Sequence, residues 1–261
     1  MTQATSAIVL AAGLGTRLAP LTDEVPKCLT EFYGRPLLGY TFDALLAQKV
    51  EHIVMVVGHQ AGQIHKYIES NFPTANVTFV SNAEYARSGT VVSMMHGLTV
   101  VPANHDVLIV EADVVFESAV LERLLASPAT ATALSRYRPD LTGTFATLDA
   151  GFFLTDWAHE RSRSDDFQIR QAWKTVNLTR FDSAAIHKHL LPAANQMLIE
   201  HNRTVPFEFA VQHCIKSQGL RVKGIDVSDL CWYEIDTLAD LNFAKRLFAP
   251  VMGSAFSTQV G

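Results

Sequence analysis

Residues 7–29 read AIVLAAGLGTRLAPLTDEVPKCL. The apolar run 7–12 is a strand pattern without polar alternation, the mark of a strand buried on both faces. It runs directly into Gly13-Leu14-Gly15-Thr16-Arg17, and Pro26-Lys27 follows. A strand ending in such a turn exposes consecutive backbone N–H groups at the carboxyl edge of a sheet, where their dipoles favour anions. The stretch fits neither GxxxxGK[ST] nor GxGxxG, because position 18 is Leu. On those templates alone, phosphate binding and a plain structural turn stand level.

Working outward, short β-branched runs alternate with helical patterns. Strands are expected over 7–12, 52–58, 76–82 and 106–113, and helices over 36–50, 60–72 and 89–101. Further strands are expected over 129–137 and 143–149, near an open edge, and over 173–181 and 220–227. Helices are expected over 183–202, 206–218 and 237–248. Continuous apolar strands alternating with helices predict a three-layer α/β/α domain with a mostly parallel mixed sheet. One such domain over 1–248 leaves APVMGSAFSTQVG (249–261) as a weakly periodic tail for which disorder is expected. There is no internal repeat.

Composition narrows the function classes. The chain has 261 residues, 48% hydrophobic and 18% charged, enough for a sizeable core. A net charge of −5 provides no general attraction to nucleic acid or to a membrane surface, so an anionic substrate needs a local positive pocket or a metal. Cys28, Cys214 and Cys231 are isolated, which fits reduced core thiols in a cytoplasmic protein. The start lacks a basic secretory n-region, and no apolar run reaches the length of a membrane span. The histidines form no HExxH, with His187 and His189 at the wrong spacing for one helix face, and no GxSxG supports a covalent nucleophile.

LAAGLGTRL (10–18), with Pro26-Lys27 at its usual distance, resembles the signature of the nucleotidyltransferases that make NDP-sugars and related CDP compounds. The resemblance implies a Rossmann-like, GT-A-type fold and a loop of Leu10, Ala11, Ala12, Gly13, Gly15 and Thr16 wrapping the nucleotide. Arg17 and Lys27 would hold the triphosphate, the first as a planar fork and the second as a point charge. It also implies Mg2+ on Asp113, at the end of the strand VLIVEAD, and on Asp236 in YEID, with phosphate oxygens and waters completing the shell. Two structural alternatives stand beside this: Asp113 could close a turn, and Asp236 could cap the helix that begins at Thr237.

NAEYARSGTVVSM (82–94) is similar to the cytosine-side segment of the small CTP-dependent members. Phosphocholine cytidylyltransferases show N-x-x-Y-x-x-x-N-N-x-x-S there; Asn82, Tyr85 and Ser93 are retained, while Gly89-Thr90 departs from the paired asparagines or their neighbours. Enzymes that activate phosphonates with CTP carry blocks similar to SGTVVSM, WKTVN (173–177) and WYEIDT (232–237). The resemblance places Asn82, Ser88, Gly89, Thr90 and Ser93 around the base, and Ser88 and Thr90 would equally serve as helix caps. Lys174, inside a strand, needs an anionic partner or a solvent-facing position; its place resembles that of the lysine holding the acceptor phosphate. Glu208 would bind a substrate cation or favour the dipole of its helix. Trp157, Trp173, Tyr137 and Trp232 could wall a quaternary ammonium, with core packing as the ordinary reading. His159 lies in a polar loop able to cover the pocket.

The expected reaction is CMP transfer from CTP to a small phosphate or phosphonate acceptor, with Arg17, Lys27 and Lys174 as the catalytic cations. A sugar-1-phosphate nucleotidylyltransferase is the alternative, although no E-K-P-like segment occurs between 130 and 180. A non-catalytic nucleotide-binding regulator is more distant, since all four charged signature residues are present. A homodimer is compatible with the sequence, which fixes no assembly.

Overall fold

A computed structural model describes residues 4–201 and 203–257. The chain begins with β1 (Thr5–Ala11), the one-turn α1 (Leu21–Glu24) and a small hairpin, β2 (Glu31–Phe32) with β3 (Arg35–Pro36). Then come α2 (Leu37–Ala47), β4 (His52–Val57), α3 (Ala61–Asn71), β5 (Val77–Ser81), α4 (Thr90–Leu98) and β6 (Asp106–Glu111). β7 (Val114–Phe116) and α5 (Ser118–Leu125) lead to β8 (Ala131–Arg136), β9 (Phe145–Leu148), β10 (Leu154–Ala158) and β11 (Trp173–Phe181). The last part contains α6 (Ser183–Ala185), α7 (Leu191–Glu200), α8 (Glu208–Gln218), β12 (Lys223–Asp226), β13 (Trp232–Glu234) and α9 (Leu238–Ser257).

β6, β1, β4 and β5 are parallel neighbours, and β11 lies antiparallel on the far side of β6. Both faces of this sheet are covered, and the pleat sorts the side chains. Ala7, Val9 and Ala11 of β1 pack on one side with α2, α3, α5 and α9, whereas Ile8 and Leu10 pack on the other with α4, α7 and α8. Each large aliphatic chain buried this way contributes roughly 1.5–3 kcal/mol, which is why the strands carry no polar alternation.

The chain runs from β1 outward to β4 and β5, then returns to place β6 on the opposite side of β1. This reversal leaves a crevice at the carboxyl ends of β1 and β6, the usual ligand position in an open α/β sheet. β11 shapes that crevice. Its residues 173–174 pair with β9 and its residues 178–181 with β6, and Asn177 takes a left-handed φ of 61° where the register against β8 shifts. The bulge bends the strand around the end of β6 and opens a chamber there.

Several elements depart from expectation. The strand at 131–136 is not at an open edge: β12 covers it on one side and β11 on the other, and its first five residues are buried. β7 and β13 have three residues each, too few to carry a period, whereas α5 buries Val120, Leu121 and Leu124 on one face, a helical signal that the expected elements omit. The helix expected over 183–202 includes a π-helical stretch, Ile186–Leu190, and its expected end at 202 lies outside the described residues. The last helix continues to Ser257 through Pro250, beyond the boundary expected at 248; residues 258–261 lie outside the described part. Among the described residues no helix is long and apolar enough to cross a membrane.

Candidate active site

The turn after β1 is built around one glycine. Gly15 adopts φ +66°, and a Cβ there would stand 2.9 Å from Cβ of Lys27. Its carbonyl accepts from Thr22 Oγ1 and from Leu18 N, both at 2.9 Å, which ties the turn to the segment that presents Lys27. These bonds use donors after the turn, so the amides of residues 13–17 precede them at the head of a helical turn, where N–H groups have no intrahelical acceptor.

Leu10, Ala11, Ala12, Gly13, Gly15, Thr16, Arg17 and Lys27 line a cavity of about 420 Å³. Across it stand Asp113, Asp236, Thr90, Ser93 and Glu208, together with Glu111, Glu234 and His159. A side annexe of about 80 Å³, lined by Lys174, Asn177, Thr142, Gly143 and Thr144, shares Arg17, Glu111, His159, Glu208, Glu234 and Asp236 with the main cavity.

Lys27 organises the acidic wall. Its Nζ lies 2.6 Å from both Asp113 Oδ2 and Asp236 Oδ1, and Arg17 Nη2 reaches the same Asp236 oxygen at 2.8 Å. Burial opposes the ammonium charge, but the field of Asp113 and Asp236 and their hydrogen bonds more than offset it, leaving the Lys27 pKa raised. Asp236 is free for this contact because Thr237 caps the helix in its place. Asp240 Oδ2 accepts from Thr237 N at 2.8 Å while Thr237 Oγ1 accepts from Asp240 N at 3.2 Å, a reciprocal capping box.

The acidic cluster is wider than the expected pair. Carboxyl oxygens of Glu111, Asp113 and Glu234 all lie within 4.8 Å of one another. Asp113 Oδ1 is buried without a hydrogen-bond partner, an orphaned acceptor that suits a hard, oxygen-liganded cation. Glu111 and Glu234 each precede an expected ligand by two residues at the end of a strand. The two-residue period that puts i and i+2 on one face was the signal that could have found them.

Lys174 is not solvent-facing; its side chain is 2% exposed, with Nζ 3.3 Å from Glu234 Oε2 and donating to Thr175 O at 2.7 Å. Glu208 sits in the first turn of α8, where Thr144 Oγ1 donates to its Oε1 at 3.4 Å and Oε2 is buried without a partner. Burial first, then the charge of Glu234, pushes its carboxyl up to about 7. Burial also raises Glu111 well above the carboxylate range, with Glu208, Asp113 and Glu234 adding to it. His159 faces the cavity and is shifted down by burial. Its Nδ1 accepts from Arg161 N at 3.0 Å, so the ring proton sits on Nε2.

The remaining expected residues separate into two groups. Thr90 and Ser93 line the cavity, whereas Asn82, Ser88 and Gly89 do not. Asn82 is buried and donates through Nδ2 to Ser88 Oγ and Ser93 Oγ, both at 3.0 Å, fixing the entry to α4. Gly89 N donates to Arg203 O at 2.8 Å and Phe207 N donates to Thr90 Oγ1 at 2.9 Å, which straps residues 203–207 across that helix end and seats Glu208. A Cβ at Gly89 would lie 1.9 Å from Val205 O. The four aromatics contribute to packing rather than to a wall. Trp157 and Trp232 are buried in the two cores, Trp173 packs on Phe152, and Tyr137 packs against the core beside Phe145.

A glycine turn and a lysine thus face strand-end carboxylates across a cleft at the switch point of an open α/β sheet. The chain belongs to the MobA-like NTP transferase domain family, whose profile matches residues 7–153, more than half of its length. It is 34% identical over 245 residues to the CMP-5'-(3-aminopropyl)phosphonate synthase of Streptomyces rubellomurinus, covering 94% of this chain and 39% of that protein. With the 2-aminoethylphosphonate cytidylyltransferase of Lancefieldella rimae it shares 39% identity over 111 residues, 42% of this chain and 44% of that one. The chain thus spans less than half the length of either relative in these comparisons. Among solved structures it superposes on the CTP:phosphocholine cytidylyltransferase from Streptococcus pneumoniae with a TM-score of 0.78 at 21% identity, covering 94% of this chain and 99% of that one. A UDP-glucose pyrophosphorylase complexed with UDP-glucose gives 0.75 at 14% identity, covering 94% and 98%. The fold is therefore shared by proteins acting on different bases and acceptors.

Proposed function

We propose that this chain transfers CMP from CTP to the phosphonate or phosphate oxygen of a small acceptor, releasing pyrophosphate. The observation that carries the reading is the facing pair of walls: the 13–17 turn with Arg17 and Lys27 on one side, and the Glu111–Asp113 and Glu234–Asp236 strand ends on the other. The relatives whose names specify CMP or cytidylyl transfer to phosphonates support the choice of nucleotide and acceptor.

The chemistry is direct in-line displacement. An acceptor oxygen, already ionised at neutral pH, attacks the α-phosphorus; one P–O bond forms as the bond to the β-phosphate breaks, and the leaving pyrophosphate carries away the electron pair. No protein base is required. Arg17 and Lys27 hold the triphosphate and oppose the charge that develops on it, and the amides of the glycine turn add fixed dipoles. Lys174, beside the annexe, is the cation that orients the acceptor. Asp113 and Asp236 are the residues that would hold Mg2+, with Glu111 and Glu234 beside them; the ion would supply charge neutralisation at the phosphates. Thr90 and Ser93 stand where the base would be read.

A pyrophosphate-release screen tests this, crossing CTP, UTP, GTP and dTTP with 2-aminoethylphosphonate, phosphocholine and glucose-1-phosphate in the presence of Mg2+. Turnover is expected with CTP and a phosphonate or phosphocholine. Turnover confined to another nucleotide with the sugar phosphate would replace the proposal with the sugar-nucleotide reading.

A further inference from the structure

The acidic chamber has more carboxylates than cations, and the imbalance is localised. Asp113 and Asp236 share Lys27, Asp236 also meets Arg17, and Glu234 is matched by Lys174. Glu111 and Glu208 are left, and among the described residues neither forms an ion pair. Glu208 is the more confined of the two. It is 8% exposed, Thr144 fixes one of its oxygens, and the other is buried and unpartnered on the wall shared by the main cavity and the annexe. It also stands outside the Glu111–Asp113–Glu234 group whose oxygens converge for a metal. A buried acceptor left open in this way costs free energy unless something else satisfies it.

The lining identifies the partner. Among the described residues no Trp, Tyr or Phe lines the cavity or the annexe, which leaves them without the aromatic cage that reads a quaternary ammonium. The annexe beside Glu208 also holds two cations, Arg17 and Lys174, but these already meet Asp236 and Glu234, and its other lining groups include the acceptors Asn177 and Glu111. A primary ammonium has three N–H donors for such a set, and a trimethylammonium has none.

Resting on the cytidylyltransferase reading, we infer that Glu208 is the specificity-determining residue of the acceptor subsite. It binds the primary ammonium of an aminoalkyl phosphonate through its open Oε2 and discriminates against quaternary ammonium acceptors. Thr144 holds the carboxyl in place, and the 203–207 strap anchored on Gly89 and Thr90 positions the helix that bears it.

The test compares 2-aminoethylphosphonate with ethylphosphonate and with the N,N,N-trimethyl analogue, in wild type, Glu208→Gln and Glu208→Asp. Wild type should favour the primary amine over both others by at least 100-fold in kcat/KM, since a site built to hydrogen-bond a group strongly rejects analogues lacking it. In Glu208→Gln the amine-to-ethyl ratio should fall by roughly 10–100-fold, the worth of a hydrogen bond to a charged group. The effect should fall on acceptor KM, with CTP KM little moved, and Glu208→Asp should recover part of it. An unchanged ratio in Glu208→Gln, or a trimethyl analogue used as well as the primary amine, overturns the assignment. Should wild type release pyrophosphate with no nucleotide and acceptor pair, the reaction itself is wrong. Calorimetric affinities for the same three phosphonates then decide the subsite: equal binding of the amine and the ethyl compound refutes it.

Discussion

Replacing Lys27 with Met keeps an unbranched stem of similar bulk and removes one charge, which makes Lys27→Met the most direct perturbation of the site. Nζ sits 2.6 Å from both Asp113 and Asp236, so the two carboxylate oxygens can be separated by no more than twice that distance. At an effective dielectric of about 20, unit charges at such a separation repel by roughly 3 kcal/mol, and each attraction to Lys27 is roughly twice as large before desolvation is charged against it. Both carboxylates keep some solvent contact, with side chains 23% and 14% exposed, so the expected loss of stability near pH 7.5 is about 2–3 kcal/mol. The pH dependence has a definite sign. The folded-state pKa of Lys27 is raised, so its contribution is present throughout the neutral range and is lost only as pH rises through the lysine range. In the variant, by contrast, the acidic cluster has lost its central cation, and acidification relieves its repulsion through the proton uptake that burial already favours at Glu111 and Glu234. Thermal unfolding of both proteins at pH 5 and pH 7.5 should therefore show a gap that narrows on acidification. Under the proposed chemistry kcat/KM for pyrophosphate release should fall by about 10²–10³, the scale for losing one preorganised donor to developing charge. A stability gap of equal size at both pH values, or kcat/KM within threefold of wild type, would refute the reasoning.

Two further outcomes follow from the same contacts. Glu208 has a folded-state pKa of about 7, above the roughly 4.3 of an unfolded glutamate, so the native state holds the extra proton and stability falls as pH rises through that window. The loss is on the order of a few kcal/mol and levels off above pH 7; urea titrations at pH 4.5 and 7.5 should show it in wild type and a flatter profile in Glu208→Gln, and parallel profiles would contradict it. Gly89→Ala should destabilise the protein by about 1–3 kcal/mol and raise acceptor KM, because a Cβ 1.9 Å from Val205 O pushes away the strap that seats Glu208. Wild-type melting together with wild-type acceptor KM would show that the strap does not position the site.

Much of the site was legible in the linear pattern, for a physical reason. The buried run into Gly13-Leu14-Gly15-Thr16-Arg17 and the strand ending at Asp113 are local signals, and parallel neighbours place their carboxyl ends together at one edge. The role of Asp236 was a balance of local alternatives, cap or ligand. The reciprocal bonds of Thr237 and Asp240 settle the capping, and the contact with Lys27 depends on a residue 209 positions away. The aromatics were written in the sequence without their surroundings, and only packing puts Trp157 and Trp232 in the cores rather than in the cavity.

The sequence by itself determined the layered α/β architecture, because period and β-branching act within single elements. It also determined the glycine turn after β1, since φ +66° at Gly15 is a local demand of the backbone. The tertiary structure alone decided which charges meet. It gathers Glu111, Asp113 and Glu234 from two distant strand ends, joins Asp113 to Asp236 through Lys27, and buries Lys174 beside a bulge in β11. It also turns Gly89 and Thr90 into anchors of the strap that leads into Glu208. Charge pairing and orphaned acceptors depend on distances across the fold, and no local pattern encodes them.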